Sequence, residues 1–359
     1  MEIKNLSSYD DKSWNVWVED LVNLSENVQS KYTRYVARFL QDQGLTPDGL
    51  YELRINELES KDRRDRRGVE RTVKKWLTQL ESEGLASGTV DRHYYALRSF
   101  FESQDIPFSL KSSDRPRVNH IGRRMVTKPL IRKMIQLSSY RQRDRNIALV
   151  FILKDTGLRI GDISALNRET YLSAKEYRNE DGERFKELGP VRTKKTGVSA
   201  YPVIGPETIE HLDIYLNKRT DDNPCLFLGE RGGRIRIDAL SKIFQRYSEK
   251  LREDGDRISA HSFRKFHQTL LEASGLNPNI LKRMHGRKVS DSTGAYSRPQ
   301  DVPGLIVEQY IQHYDAIRLD DNTAIKELRK EQYSRDEKIA ALEKRLDMVL
   351  KLVEEKAKA

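Results

Sequence analysis

The chain has 359 residues, with 65 Lys+Arg against 55 Asp+Glu and a formal net charge of +10. That length allows two folded units and an appendage, and the charge suits a polyanionic partner better than an acidic substrate. The single cysteine, Cys225, excludes an intrachain disulfide framework and a Cys-rich metal site, which fits a reducing interior.

The start, MEIKNLSSYDD, has no basic flank leading into an apolar stretch. The longest clean apolar run, Ile147 to Leu153, is too short to cross a membrane, so a soluble protein is expected. From Ser25 the residues Val28, Tyr32, Tyr35, Val36, Phe39 and Leu40 recur at helical spacing, with Ser25 as N-cap and Gly44 as the stop. The period returns at Val69, Val73, Trp76, Leu77 and Leu80, ended by Gly84, and again from Val90 to Phe101, closed before Pro107. Residues 1–110 are expected to form a small helical bundle. Between two of its helices lies KDRRDRRGVER, residues 61–71, where arginines alternate with acids. This segment reads either as a solvated loop leading into a helix or as a phosphate-contacting strip made by Arg63, Arg64, Arg66 and Arg67.

The stretch KSSDRPRVNHIGRRMVTK, residues 111–128, is polar, basic and broken by Pro and Gly. It predicts an interdomain linker over 111–125, with Arg123 and Arg124 as further candidate phosphate contacts. Helical signals follow at Leu130 to Leu137 and Ile147 to Leu153, then a turn-rich, β-prone interval from Thr170 to Ile204, then helices from Glu207 onward. A mainly α domain with a small sheet is expected over 126–320. In the tail, Ile325, Leu328, Gln332, Arg335, Ile339, Leu342, Leu346, Val349 and Val353 alternate gaps of three and four. That seam predicts a C-terminal coiled coil over 321–359. Gln332 and Arg335 interrupt it, which leaves open a helix packed back on its own domain.

The strongest local chemical signal is DTGLRIGDISAL, residues 155–166, where one helix ends at Gly157 and another begins, with Arg159 at the junction. An arginine there can hold an anion through a planar, two-pronged contact that fits a phosphodiester, although an ordinary salt-bridge partner is the bland alternative. In HSFR, His261 and Arg264 are spaced to share one helical face and address one phosphate. Downstream come Met284-His285-Gly286 and SDSTGAYSRP, whose Tyr296 sits among small and polar residues. The glycines from Gly229 to Gly233 are not a phosphate-binding loop of the GK[ST] type.

TGLRIGDISAL, KKTG, HSFRKF, RMHGRK and STGAYSRP, in that order and separation, resemble the tyrosine recombinases of the phage-integrase superfamily. The helix TVDRHYYALRSFF is similar to part of the family's core-binding domain, and the wording around the tyrosine resembles archaeal plasmid and virus integrases. The resemblance implies that Arg159 and Arg264 hold a scissile phosphate with His261 beside them, that Tyr296 attacks it, and that His285 takes the family's second histidine position. Lys195, with Lys194 as close competitor, would be the general acid on a β-hairpin, and Asp162 would support the site without touching substrate. Tyr310 and Tyr314 are next in line as nucleophile should Tyr296 not be it. The family usually places Gly before the second histidine, whereas Gly286 follows His285 here, so this histidine is offset by one position.

No metal and no cofactor is called for, since two arginines can neutralise the phosphoryl oxygens where other enzymes use metal ions. The implied partners are double-stranded DNA and further copies of the chain on that DNA, a tetramer being one arrangement; the implied location is a prokaryotic cytoplasm, at the nucleoid. Competing readings are a type IB topoisomerase, an inactive DNA-binding relative and a coiled-coil scaffold with a basic body.

Overall fold

A computed structural model of the chain describes residues 9–117, 125–138, 142–251, 257–289 and 299–320. It divides into two compact units, Met1–Gly122 and Arg123–Ala359. Of the residues singled out from the sequence, Arg123, Arg124, Tyr296 and the tail seam lie outside those described.

In the first unit, five helices are described: α1 (Lys12–Asp20), α2 (Glu26–Gln43), α3 (Pro47–Glu59), α4 (Gly68–Ser82) and α5 (Ser87–Glu102). Helix α2 stops at Gly44, whose φ of 66° lets the chain reverse where a side chain would strain. The apolar stripes of α2, α4 and α5 meet in one core around Phe39, Trp76, Leu97 and Phe100. Buried indole N–H groups find acceptors there: Trp17 donates to Ser99 Oγ at 3.0 Å and Trp76 to Asp42 Oδ2 at 2.7 Å. Arg54 of α3 is also buried, held by Glu70 at 2.7 and 2.9 Å and by the Pro107 carbonyl. An uncompensated guanidinium in this core would be costly; the bidentate carboxylate removes that cost.

The second unit is built around α7 (Arg143–Thr156), every residue of which from Arg145 to Thr156 is buried. Three helices pack on it, α6 (Lys128–Gln136), α10 (Pro206–Asn217) and α12 (Ala260–Ala273). Short helices α8 (Ile160–Ala165) and α9 (Arg168–Leu172) follow α7, and α11 (Ile237–Leu251), α13 (Pro278–Met284) and α14 (Leu305–His313) complete the described set. Strands β1 (Lys175–Arg178), β2 (Arg184–Glu187) and β5 (Val203–Ile204) form an antiparallel sheet in the order β1-β2-β5, with Tyr177 opposite Phe185 and Lys186 opposite Ile204. A separate hairpin pairs β3 (Val191–Arg192) with β4 (Ser199–Ala200). The protein is mainly helical with a small antiparallel sheet. Among the described residues no helix is long and apolar enough to cross a membrane.

Lys154 is fully buried on α7, 2.6 Å from Asp155 Oδ1 and 2.8 Å from Glu207 Oε2. Burial works against charge on Glu207, but the Lys154 ammonium and the amides of Leu319 and Asp320 outweigh it and hold the carboxyl at about 2. Tyr314 donates to the same carboxylate at 3.0 Å. Tyr310 and Tyr314 are 0% and 1% exposed, with burial pushing both phenols well up. They are core residues of the second unit and cannot reach a substrate without unfolding it, which removes them as reserve nucleophiles.

Candidate active site

Helix α7 ends at Gly157, whose φ is +55°, and a Cβ there would meet His285 Nε2 at 2.5 Å. Only glycine fits. The reversal sends Leu158 into the core and sets Arg159 as the residue capping α8. Arg159 is half-buried, and its Nη1 is shut off from solvent without a hydrogen-bond partner among the described residues.

Arg264 reaches the same place from α12 and is 3% exposed. Its Nη1 donates to the Gly157 carbonyl at 2.9 Å and its Nη2 to the His285 carbonyl at 3.2 Å. The guanidinium is thus fixed by backbone from two other segments, and no carboxylate among the described residues pairs with it. Burial, then the neighbouring charges of Arg287 and Arg159, push Arg264 down to about 9, so it stays protonated at neutral pH. His261, three residues earlier and exposed, stands at the start of the same helix. Arg159, His261 and Arg264 together line a cavity of about 210 Å³, with Ser241, Ser259 and Ala260 on its rim.

Lys194 and Lys195 are exposed in the turn of the β3–β4 hairpin. Two hydrogen bonds tie that hairpin to the arginines' supports. The Lys194 amide donates to Asp162 Oδ1 at 2.9 Å, and Thr196 Oγ1 donates to the Gly286 carbonyl at 3.0 Å. Asp162, 2% exposed and one turn past Arg159, therefore links α8 to the lysine turn through backbone.

His285 is placed differently from the sequence expectation. Helix α13 closes with a Schellman pair, Gly286 N–H to the Arg283 carbonyl at 3.1 Å and Arg287 N–H to the Lys282 carbonyl at 2.9 Å. The His285 ring is 1% exposed, with Nε2 2.9 Å from His267 Nδ1. Its imidazole lies beneath the arginines and does not line their cavity. The residue after the glycine is Arg287, half-buried, which the sequence motifs do not single out. Its charge is the strongest cationic influence on Arg264, and Arg159 in turn lowers Arg287.

Arg63, Arg64, Arg66 and Arg67 belong to the first unit. Arg64 pairs with Asp62 at 2.7 Å, while Arg66 and Arg67 donate to the carbonyls of Ser60 and Ser109 at 2.9 and 3.0 Å. Arg63 is exposed.

Two arginines from different helices line one cavity, and a guanidinium's planar fork suits two-pronged contact with an oxyanion. Residues 124–302 match the Phage integrase family. The chain belongs to the tyrosine recombinase, or phage-integrase, superfamily. It is 21% identical to tyrosine recombinase XerA of Pyrococcus furiosus over 78% of this chain and 86% of that protein. It is 28% identical to a probable integrase/recombinase of Methanocaldococcus jannaschii over 48% of this chain and 51% of that protein. The fold is similar to the crystal structure of a lambda integrase dimer bound to a core site, with a TM-score of 0.55 at 17% identity, covering 79% of this chain and 93% of that one.

Proposed function

We propose that the protein is a site-specific DNA recombinase that cuts and rejoins strands through a covalent 3′-phosphotyrosine at Tyr296. The observation that carries this reading is the pair Arg159 and Arg264, which flank one cavity with no carboxylate among the described residues to neutralise them. A phosphodiester supplies the missing negative charge, and the arginines stabilise the further charge that builds on its non-bridging oxygens. In cleavage the Tyr296 oxygen bonds to phosphorus, the bond from phosphorus to the 5′ oxygen breaks, the phenol gives up its proton to a base, and Lys195 or Lys194 protonates the leaving oxygen. Rejoining is the reverse, with a 5′ hydroxyl as attacker, and it needs no nucleotide because the ester conserves the bond energy.

In this reading residues 1–110 are a core-binding domain that, with Arg63, Arg64, Arg66 and Arg67, grips the duplex, and 111–125 is the linker carrying Arg123 and Arg124. Residues 126–320 are the catalytic domain, and 321–359 join protomers into the oligomer that brings two sites together. That lambda integrase is described as a dimer on DNA supports the partner assignment.

The test works on DNA of any sequence. A library of randomised duplexes, each with one nick, is incubated with the protein, and DNA still bound after denaturation is sequenced. The wild-type chain should enrich one sequence class and Tyr296→Phe should capture none. Absence of a wild-type adduct, or equal capture by Tyr296→Phe, overturns the reading.

A further inference from the structure

Three guanidinium groups, those of Arg159, Arg264 and Arg287, sit near enough to repel one another. Among the described residues no carboxylate forms an ion pair with any of them. Like charges so gathered cost free energy unless an anion is meant to join them. The unpartnered, buried Nη1 of Arg159 shows where the cluster is incomplete. Two arginines account for the contact already assigned; Arg287 has no role in it.

Backbone geometry fixes where Arg287 emerges. The two peptide carbonyls just before it are both committed: that of His285 accepts from Arg264, and that of Gly286 accepts from Thr196 of the lysine hairpin. At Gly286 the φ is +59°, and a Cβ would meet Thr193 Cγ2 at 2.5 Å. This segment is therefore pressed between the second arginine and the hairpin, and Arg287 is the residue that directly follows it. The Arg287 guanidinium is held from one side only, Nη2 donating to Gln268 Oε1 at 2.8 Å, one turn beyond Arg264 on α12. Its remaining donors are left for a ligand.

We propose that Arg287, and not His285, is the third residue that binds the scissile phosphate, donating to a non-bridging oxygen alongside Arg159 and Arg264. This rests on the recombinase reading and assigns one of its catalytic residues. Arg287 keeps its proton throughout; the bonds made and broken are those of the tyrosine transfer above. A permanently charged arginine also makes this contact independent of pH over the range in which a histidine would lose its charge.

The experiment uses the full chain and the duplex enriched by the capture selection, made with either an ordinary phosphate or a methylphosphonate at the cleaved position. Arg287→Ala should slow adduct formation on the phosphate on the order of 10²-fold, as expected for one lost donor to a developing charge. On the methylphosphonate, which lacks a negatively charged oxygen there, the deficit should shrink to a few-fold. Arg287→His should regain activity as pH falls below about 6.5, where an imidazole becomes charged, while His285→Gln should cleave without that pH dependence. An equal deficit on both substrates means that Arg287 only braces Gln268, and wild-type rates in Arg287→Ala mean that it does nothing; either outcome overturns the assignment and leaves the recombinase reading standing. No adduct from the wild-type chain sinks both.

Discussion

His285 and His267 share a hydrogen bond of 2.9 Å between Nε2 and Nδ1, sealed from solvent beneath the arginine cluster. Burial above all holds His267 down at about 3 and His285 well below its usual value, with the neighbouring His267 and then Arg264 adding to the effect on His285. Both are neutral in the folded protein at neutral pH and protonate on unfolding once pH falls below about 6.5. The unfolded state then binds more protons, so stability is full above that pH and is lost as pH drops toward the folded values. Each ring contributes a slope of up to ~1.4 kcal/mol per pH unit. Denaturant unfolding between pH 7.5 and 5, above the carboxylate range, should show the second unit weakening. His267→Gln should flatten that slope, and a wild-type stability independent of pH over this window would contradict the neutral pair.

The same contact makes Gly157 intolerant of any side chain. Alanine would carry the left-handed backbone penalty and drive its Cβ into His285. Gly157→Ala should cost on the order of 2–4 kcal/mol in the second unit. Trp14, Trp17 and Trp76 all lie in the first unit, so tryptophan fluorescence serves as an internal control while circular dichroism reads both units. A loss within ~0.5 kcal/mol would show that the packing around Gly157 relaxes freely.

How far the sequence foretells this arrangement depends on how each residue's role is encoded. Helix α2 is legible from Ser25 to Gly44 because one face is buried and its terminal glycine is obligatory. Helix α1 escapes the periodicity because it is short and turns few apolar residues, Trp14 and Trp17 among them, into the core. Helix α3 escapes it because its inner face includes Arg54, whose carboxylate partner Glu70 is invisible until the chain folds. Strands β3 and β4 are two residues each, too short for any period, so only the interval containing them can be anticipated. Motif order singles out Arg159 and Arg264, and both line one cavity. The same order makes His285 a phosphate neighbour, because its burial against His267 of another helix is not encoded in any motif.

The two hairpin lysines can be separated chemically. Both are exposed, and Asp162 fixes only the Lys194 backbone, so neither side chain is excluded by burial. The general acid should be the one whose loss is corrected by a better leaving group. On a substrate whose bridging 5′ oxygen is replaced by sulfur, the alanine variant of the true acid should recover most of a cleavage deficit of about 10²-fold, since a thiolate needs no proton to leave. Lys195→Ala is expected to behave this way and Lys194→Ala to show a smaller deficit on either substrate. Correction of Lys194→Ala alone would transfer the role.

Just before the tail, Arg318 is held by Glu183 at 2.8 and 2.6 Å, and the amides of Leu319 and Asp320 donate to Glu207 at 2.9 and 2.8 Å. Cutting the chain after Asp320 keeps every one of these bonds, so the second unit should fold and melt as before. The residues removed carry the heptad-spaced apolar positions from Ile325 to Val353, which raise the local concentration of neighbouring protomers if they pair between chains. The truncated protein should therefore form the covalent adduct on a nicked site at an unchanged rate, yet recombine two sites poorly and self-associate less on DNA in sedimentation. Gln332 and Arg335 interrupt the seam, so pairing should be weak without DNA and become evident once bound protomers lie side by side. If both lengths sediment alike with and without DNA and recombine equally well, the tail does not assemble protomers. A fall in the melting temperature of the truncated chain would then assign it to packing on its own domain.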